Sequence, residues 1–171
     1  MKTVHKIAAG IGVISSLASA AYAQNSDTAT ASGTATIIQP IATSKVTDLG
    51  FGTIVKPAGG TATVSVDAAG TRNVTGTVAT NAVGVSAASF NVVGEGGSAF
   101  SVAVPTSFSM TSGSNSLVVT TVDNSGGGGT LTGTIGNAST ASFGVGGNFT
   151  LNSATASGAY TGTFAITASY N

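Results

Sequence analysis

Residues 160–170 read YTGTFAITASY, a pattern that points to a β-structure. Aromatic or apolar side chains and one glycine alternate with Thr, Ala and Ser. Successive side chains of a β-strand point to opposite faces of the sheet, so the stretch has one face for the core and one for solvent. We predict one strand over 160–170 with the inward set Tyr160, Gly162, Phe164, Ile166, Ala168 and Tyr170.

Shorter runs of strand-forming residues fill most of the remaining chain. Gly and Pro separate stretches rich in Thr, Val and aromatic residues, and no stretch has apolar residues at helical spacing. Many short strands between turns predict an all-β fold, an immunoglobulin-like antiparallel β-sandwich. The glycine run 126–129 is predicted to be a flexible loop. The other predicted strands are 34–38, 51–55, 61–66, 73–80, 89–93, 100–104, 116–122, 130–135 and 149–151.

The N-terminal residues have the features of a secretory signal. A basic start precedes an apolar stretch over 7–17, and Ala21 and Ala23 supply small residues before a cleavage point. The apolar stretch is shorter than the roughly 20 residues that span a bilayer. We therefore expect a signal peptide over 1–23, a flexible extension over 24–33 and one domain over 34–171. The protein is expected to be secreted or to reach the cell surface through the periplasm, and not to span a membrane.

The composition leaves little material for catalysis. Five Lys and Arg balance five Asp and Glu, there is no cysteine, and the one histidine, His5, lies in the expected signal peptide. Nucleophilic catalysis lacks a suitable base, and zinc or copper lacks its usual ligands. Nucleic-acid binding has no electrostatic basis at this charge. The sequence predicts a protein that is not an enzyme and has no cofactor.

The charged residues are expected to serve solubility and turns. Arg72 is predicted to be a solvated loop residue, and the acidic residues, Glu95 among them, are predicted to cap turns. Asp123 and Asn124 offer oxygen atoms of the kind that calcium prefers. Their pattern is more typical of a turn, and calcium binding near Asp123 stays open.

Two pairs of motifs resemble a known family. ATIIQPI at 35–41 with DLGFGTI at 48–54 resembles the opening of the bacterial domain-of-unknown-function 4402 family. VGGNFTL at 145–151 with GAYTGTF at 158–164, followed by the terminal Tyr170, looks like its closing pattern. The resemblance covers 33–171 and implies no assigned activity.

The C-terminal residues 158–171 are also similar to spore-coat-U-type and other chaperone–usher pilus subunits. Such subunits often have a glycine fourteenth from the end and a penultimate aromatic residue, here Gly158 and Tyr170. The resemblance implies an incomplete sandwich that is completed by a strand from the next subunit, with a periplasmic chaperone as a further partner. The candidate assembly strand is Gly33, Ala35 and Ile37, although it overlaps the first predicted core strand. This chain lacks the cysteine pair of many such subunits.

Three functions follow as expectations. The first is an exported structural or adhesive surface subunit, pilin-like or fimbrial, that assembles by strand exchange with copies of itself. The second is a self-contained secreted or periplasmic β-sandwich that binds a ligand or extracellular matrix. A small outer-membrane β-barrel is less favoured, because most predicted strands are shorter than the about 9 to 11 residues of a membrane strand.

Overall fold

The computed structural model describes residues 26–171, so the expected signal peptide over 1–23 lies outside the described residues. The β-domain forms a compact unit, Thr36–Asn171. The fold is all-β and sandwich-like, with antiparallel strands and no helix among the described residues. The strands are β1 (Ala42–Thr47), β2 (Gly50–Ile54), β3 (Thr61–Val66), β4 (Arg72–Thr75), β5 (Thr80–Ser86), β6 (Ala88–Glu95), β7 (Ala99–Ala103), β8 (Ser107–Ser112), β9 (Asn115–Asp123), β10 (Gly128–Thr130), β11 (Ala138–Asn152) and β12 (Thr167–Tyr170).

Strand β11 organises the largest sheet. Its first half pairs with β6 and its second half with β3, while its middle pairs on the opposite edge with β9. Strands β1, β4 and β8 extend the sheet beyond β6, β3 and β9, respectively. Glycine at 144 and 146 lets β11 approach the chain around Val66 to Ala68, because an added Cβ would overlap the carbonyl oxygens of Ala68 and Val66. This one 15-residue strand thus pairs with three other strands.

Two smaller sheets cover the core. The order β10-β7-β12 forms one, and β2 pairs with β5 in the other. Their inward side chains meet those of the large sheet in two buried clusters. The first cluster contains Ala88, Phe90, Val92, Phe100, Val102, Leu131, Phe143 and Val145, and the second contains Phe51, Val64, Val66, Val119, Phe149 and Leu151.

The all-β prediction is confirmed, but several strand predictions are wrong. Residues 34–38 contain no strand and are exposed. Of 160–170, only Thr167–Tyr170 is a continuous strand. Residues 131–135 also contain no strand, because the chain turns after β10. The strand predicted over 73–80 is interrupted by a turn between β4 and β5.

The glycine run over 126–129 is only partly a loop. Gly128 and Gly129 belong to β10 and pair with Ser101 and Phe100. An added Cβ at Gly128 would overlap the carbonyl oxygen of Phe100, so β10 can lie this close to β7 only without a side chain there. Glycine disfavours strands through its backbone entropy, but here the close approach requires it.

Residues 26–171 include no helix with the length and hydropathy that crossing a bilayer requires.

Candidate assembly groove

Residues 158–166, here called the closing segment, run from the large sheet to β12. Thr161 exchanges two backbone hydrogen bonds with Thr111 of β8, at N–O distances of 2.8 and 3.0 Å. Two glycines permit this contact, because a Cβ at Gly158 would overlap Ser112 Oγ and one at Gly162 would overlap the Ser109 carbonyl oxygen. The close approach to β8 thus gives the glycine at 158 a physical role.

The backbone of residues 162–166 has no hydrogen-bond partner within the described part of the chain. Its side chains nevertheless keep strand periodicity, since Phe164 and Ile166 are half-buried whereas Thr163 and Ala165 are exposed. Pairing with β7 begins at Thr167. The stretch is therefore strand-like but unpaired, and Gly162 lies against Ser109 of β8 without a backbone hydrogen bond.

Strand β1 also has an unpaired edge. Every residue of β1 is exposed, and within residues 26–171 the strand pairs only with β6. Thr43 and Lys45 lie opposite the buried Val92 and Phe90, and directly paired residues share a face of the sheet. Strand β12 approaches β1 but leaves its residues exposed.

Two cavities adjoin along the closing segment. One, of about 310 Å³, lies between Lys45–Leu49 and residues 160–164 and has Phe90 and Phe108 in its lining. The other, of about 480 Å³, lies between β2 and residues 155–160 and is lined by core residues of the second cluster. Both cavities include Leu49, Met110 and Tyr160 in their lining. We call the pair the open groove.

The lysine side chains that line the open groove each bond to another group of the chain. Lys45 Nζ lies 2.6 Å from Asp48 Oδ1 in an exposed ion pair. Lys56 Nζ donates a hydrogen bond to the Thr155 carbonyl oxygen at 3.2 Å. The remaining lining is aromatic, aliphatic, hydroxyl or glycine. Apart from the Lys56 ammonium group, whose partner is a neutral carbonyl, such a lining suits an uncharged extended segment.

The structure places the two sets of predicted site residues differently. Gly33, Ala35 and Ile37 lie in a stretch without strands, over 26–41, and all three are exposed, Ile37 to 89%. In the C-terminal set, Gly158 contacts β8, Tyr160 lines the open groove, and the other named residues follow towards Tyr170. Phe164, Ile166, Ala168 and Tyr170 pack against the first core cluster.

Glu95 is a site residue that the sequence did not predict. Its side chain is 1% exposed, so the expectation that it is solvated is wrong, whereas the expected turn capping is present through the Gly136 N–H of the turn at 134–137. The carboxylate accepts hydrogen bonds from the backbone N–H of Gln39, at 2.9 Å, and of Gly136. The Tyr170 hydroxyl accepts from the Glu95 N–H at 2.6 Å and donates to the Gln39 carbonyl oxygen at 2.9 Å. This arrangement, here called the Gln39 clamp, fixes both backbone polar groups of Gln39.

The clamp should make stability depend on pH. The backbone N–H of Gln39 contributes most to holding the Glu95 pKa below its ordinary value of 4.5, and Gly136 and Asn137 add to this against an opposing effect of burial. Since the pKa is lowered by folding, the carboxylate stabilises the protein above pH 4.5, and this contribution disappears as the pH falls through the lowered pKa.

We expect Glu95→Gln to be less stable than the parent at neutral pH, with a difference that shrinks as the solution is acidified. Thermal unfolding followed by circular dichroism at a series of pH values measures this difference. Asp27→Asn is the matched control, because Asp27 is exposed and lies outside the strands. A difference that stays constant down to strongly acidic pH would contradict the role of the carboxylate charge.

Arg72 also differs from its prediction. Its Nη1 atom donates hydrogen bonds to the carbonyl oxygens of Phe51, at 3.0 Å, and Asn81, at 2.7 Å. It thereby connects β4 to both strands of the β2-β5 sheet. A guanidinium group has several donors in one plane, which suits it to such cross-linking of carbonyl groups. Arg72 is a structural residue, and the solvated-loop prediction is wrong.

The oxygens considered for calcium are engaged in local hydrogen bonds. Asp123 Oδ1 accepts from the Ser125 N–H at 2.9 Å, and Asn124 Oδ1 accepts from the Gly144 N–H at 2.7 Å. Among residues 26–171, no group of three or more His, Cys, Asp or Glu residues is placed to hold a metal ion. The turn geometry accounts for both side chains.

Comparison with known protein families gives a match over most of the chain. The family model of DUF4402, described as a domain of unknown function, matches residues 41–170. The match begins two residues after Gln39 and ends at Tyr170. No curated protein and no solved structure matches the chain.

Proposed function

We propose that this chain, which belongs to the DUF4402 family, is an exported, non-enzymatic structural or adhesive subunit of the bacterial surface that assembles by β-strand exchange. The family carries no assigned activity, so the proposal depends on the residues themselves. The observation that carries it is the unpaired, strand-like backbone of 162–166 beside the open groove. In this respect we propose a likeness to pilus subunits, in which a neighbour supplies the missing strand.

Strand addition supplies the physical reason. Unpaired N–H and C=O groups along a sheet edge can form a full set of hydrogen bonds with an added strand, and alternate side chains of that strand then enter the groove. The open groove has apolar side chains at its base, with β1, which has one unpaired edge, on one side and the unpaired residues 162–166 on the other. An added strand would form hydrogen bonds along such an edge.

Absence of enzymatic activity is also part of the proposal. Its support is the residue inventory, since the chain has no cysteine and its one histidine lies at position 5. Glu95 is the buried carboxylate of the described residues, and its oxygens bond to backbone N–H groups rather than facing a cavity. General acid–base catalysis needs such a group within reach of a substrate.

A self-contained binding module is the second candidate. Two observations favour it: the larger cavity, of about 480 Å³, falls within the usual size of small-molecule sites, and no buried side-chain polar atom of residues 26–171 lacks a partner. Such a protein would be a soluble monomer whose groove holds a ligand.

Intact-mass measurement and light scattering of the exported protein test the proposal. We expect the intact mass to be that of a chain beginning at Gln24, because Ala21 and Ala23 meet the small-residue requirement of signal cleavage. We expect light scattering to show species much larger than one chain. A folded monomer that stays unchanged from micromolar to millimolar concentration would overturn strand exchange and favour the binding module. Retention of residues 1–23 would overturn export by a cleaved signal.

A further inference from the structure

We infer that the larger cavity of the open groove is a binding site for an alkyl carboxylate, with the carboxylate at Lys56 and the alkyl chain on the apolar floor. The site goes beyond the proposed strand exchange, because residues 162–164 line the smaller cavity and not this one. Four features of the larger cavity support the assignment: its floor, its size, the single charge in its lining and the loop beside that charge.

The floor of the larger cavity is apolar. Phe51, Phe149 and Leu151 are buried members of the second core cluster, and the two rings meet edge to face at 4.9 Å between centroids. Met110 and Leu117 also line the cavity and are half-buried. An alkyl chain that lies against these side chains leaves water together with part of their surface, which is favourable. The floor therefore suits the apolar part of a ligand.

The size of the cavity limits the length of that chain. An apolar cavity of about 150 Å³ holds one benzene molecule, so about three times this volume has room for roughly ten carbon atoms and a carboxylate. The volume here is about 480 Å³. All five residues of β2 line the cavity, and such a strand is about 13 Å long. A cavity of this extent suits one unbranched chain better than a lipid with two.

A single charge determines which end group fits. Lys56 is the one charged residue that lines the larger cavity, and it forms no ion pair within residues 26–171. Its Nζ donates one hydrogen bond, to the neutral Thr155 carbonyl oxygen, whereas an ammonium group has three donors. The backbone N–H groups of 156–160 also line this end and have no partner within the described part of the chain. A carboxylate here would gain a counter-charge and hydrogen bonds.

Local hydrogen bonds hold the loop beside Lys56 in place. Asn152 Oδ1 accepts from the N–H groups of Ala154 and Thr155, at 2.9 and 3.0 Å, and so caps the turn after β11. The Tyr160 hydroxyl donates to the Ala156 carbonyl oxygen at 2.9 Å. Because these bonds form without a ligand, binding should cost little conformational entropy in the loop.

Isothermal titration calorimetry of the full chain from Gln24 with decanoate tests this inference. We expect decanoate to bind. Across butanoate, hexanoate and octanoate the affinity should rise roughly fourfold for each added methylene group, as burial of an alkyl chain predicts. The rise should end once the chain is longer than the cavity. Decan-1-ol, which has the same chain length without the charge, should bind more weakly.

Two lysine variants locate the carboxylate. Lys56→Gln should weaken decanoate binding roughly fivefold, about the upper limit for an exposed ion pair, and leave decan-1-ol binding unchanged. Lys45→Gln is the matched control, because Lys45 lines the smaller cavity and already pairs with Asp48. It should bind decanoate like the parent. Both lysines are exposed, so neither substitution should prevent folding.

Hydrogen–deuterium exchange locates the ligand independently of any variant. Decanoate should slow exchange at the amides of 156–159, which line the larger cavity and lack partners. The amides of 162–166 should exchange as they do without decanoate, since none of these residues lines the larger cavity.

The outcomes separate this inference from the proposed function. Binding that follows chain length and weakens in Lys56→Gln supports the inference, whether light scattering shows assemblies or single chains. Absence of decanoate binding, equal affinity for decan-1-ol, or equal weakening in Lys45→Gln would overturn the inference. Slowed exchange at 162–166 instead of 156–159 would overturn it too, because the ligand would then occupy the smaller cavity. Strand exchange is decided separately, by assembly without ligand.

Discussion

Replacing Phe164 with alanine is expected to lower the free energy of unfolding by about 3 kcal/mol, the lower end of the range for removing a buried aromatic ring. Phe164 is half-buried, and its ring lies 4.9 Å from that of Phe108 and 6.0 Å from that of Phe90, measured between centroids. Phe90 in turn stacks on Phe143 at 5.6 Å. Loss of Phe164 would interrupt this row of rings and open the base of the groove. Denaturant titration measures the change.

Thr163→Ala is the control for the Phe164 variant. Thr163 is exposed and forms no side-chain hydrogen bond among the described residues, so its removal should change the free energy of unfolding by no more than about 0.5 kcal/mol. Equal losses in the two variants would show that the closing segment does not present the alternating faces described above.

Deleting residues 24–37 is expected to convert large assemblies into single chains or into amorphous aggregate. The deletion removes the donor strand but leaves Gln39 and the matched domain over 41–170 intact. The open groove would then keep its apolar lining and unpaired edge, which favours non-specific association. Size-exclusion chromatography with light scattering distinguishes ordered growth from aggregate.

Adding the missing segment should reverse the effect of the deletion. A peptide of residues 24–37 is expected to keep the shortened protein as a soluble one-to-one complex, because backbone pairing closes the edge. The matched control is the same peptide with Ile37→Asp, which should not rescue solubility. Assembly of the shortened protein that is as ordered as that of the intact chain would contradict a donor in this segment.

Much of the fold prediction rested on the local alternation of apolar and polar residues. The alternation over 160–170 predicted which side chains turn inward, and Phe164, Ile166 and Tyr170 are the more buried members of their stretch. The prediction was wrong for Gly162, which is exposed and lies beside β8. The same pattern could not predict that most of the stretch is unpaired. Side-chain alternation indicates that one face of a segment is buried and the other is exposed. Backbone pairing depends instead on a neighbouring strand that is distant in sequence.

The elements that sequence reasoning missed depend on long-range contacts. Strand β1 reads ATSKVT, and neither set of alternate residues is uniformly apolar, so periodicity gave no signal for it. The Gln39 clamp joins residues 39, 95 and 170, which no local motif connects. Arg72 was likewise assigned from its neighbours alone, while its partners are Phe51 and Asn81.

Hydrogen–deuterium exchange at the backbone amides of residues 162–166 is the sharpest test of strand addition at the open groove. These amides lack partners within the described chain, so they should exchange rapidly in the isolated protein and slowly once the chain has assembled or bound the donor peptide. The amides of β12, which pairs with β7, serve as an internal reference in the same sample. Slow exchange at 162–166 in the monomer, or unchanged rapid exchange after assembly, would contradict the proposal that this groove receives a strand.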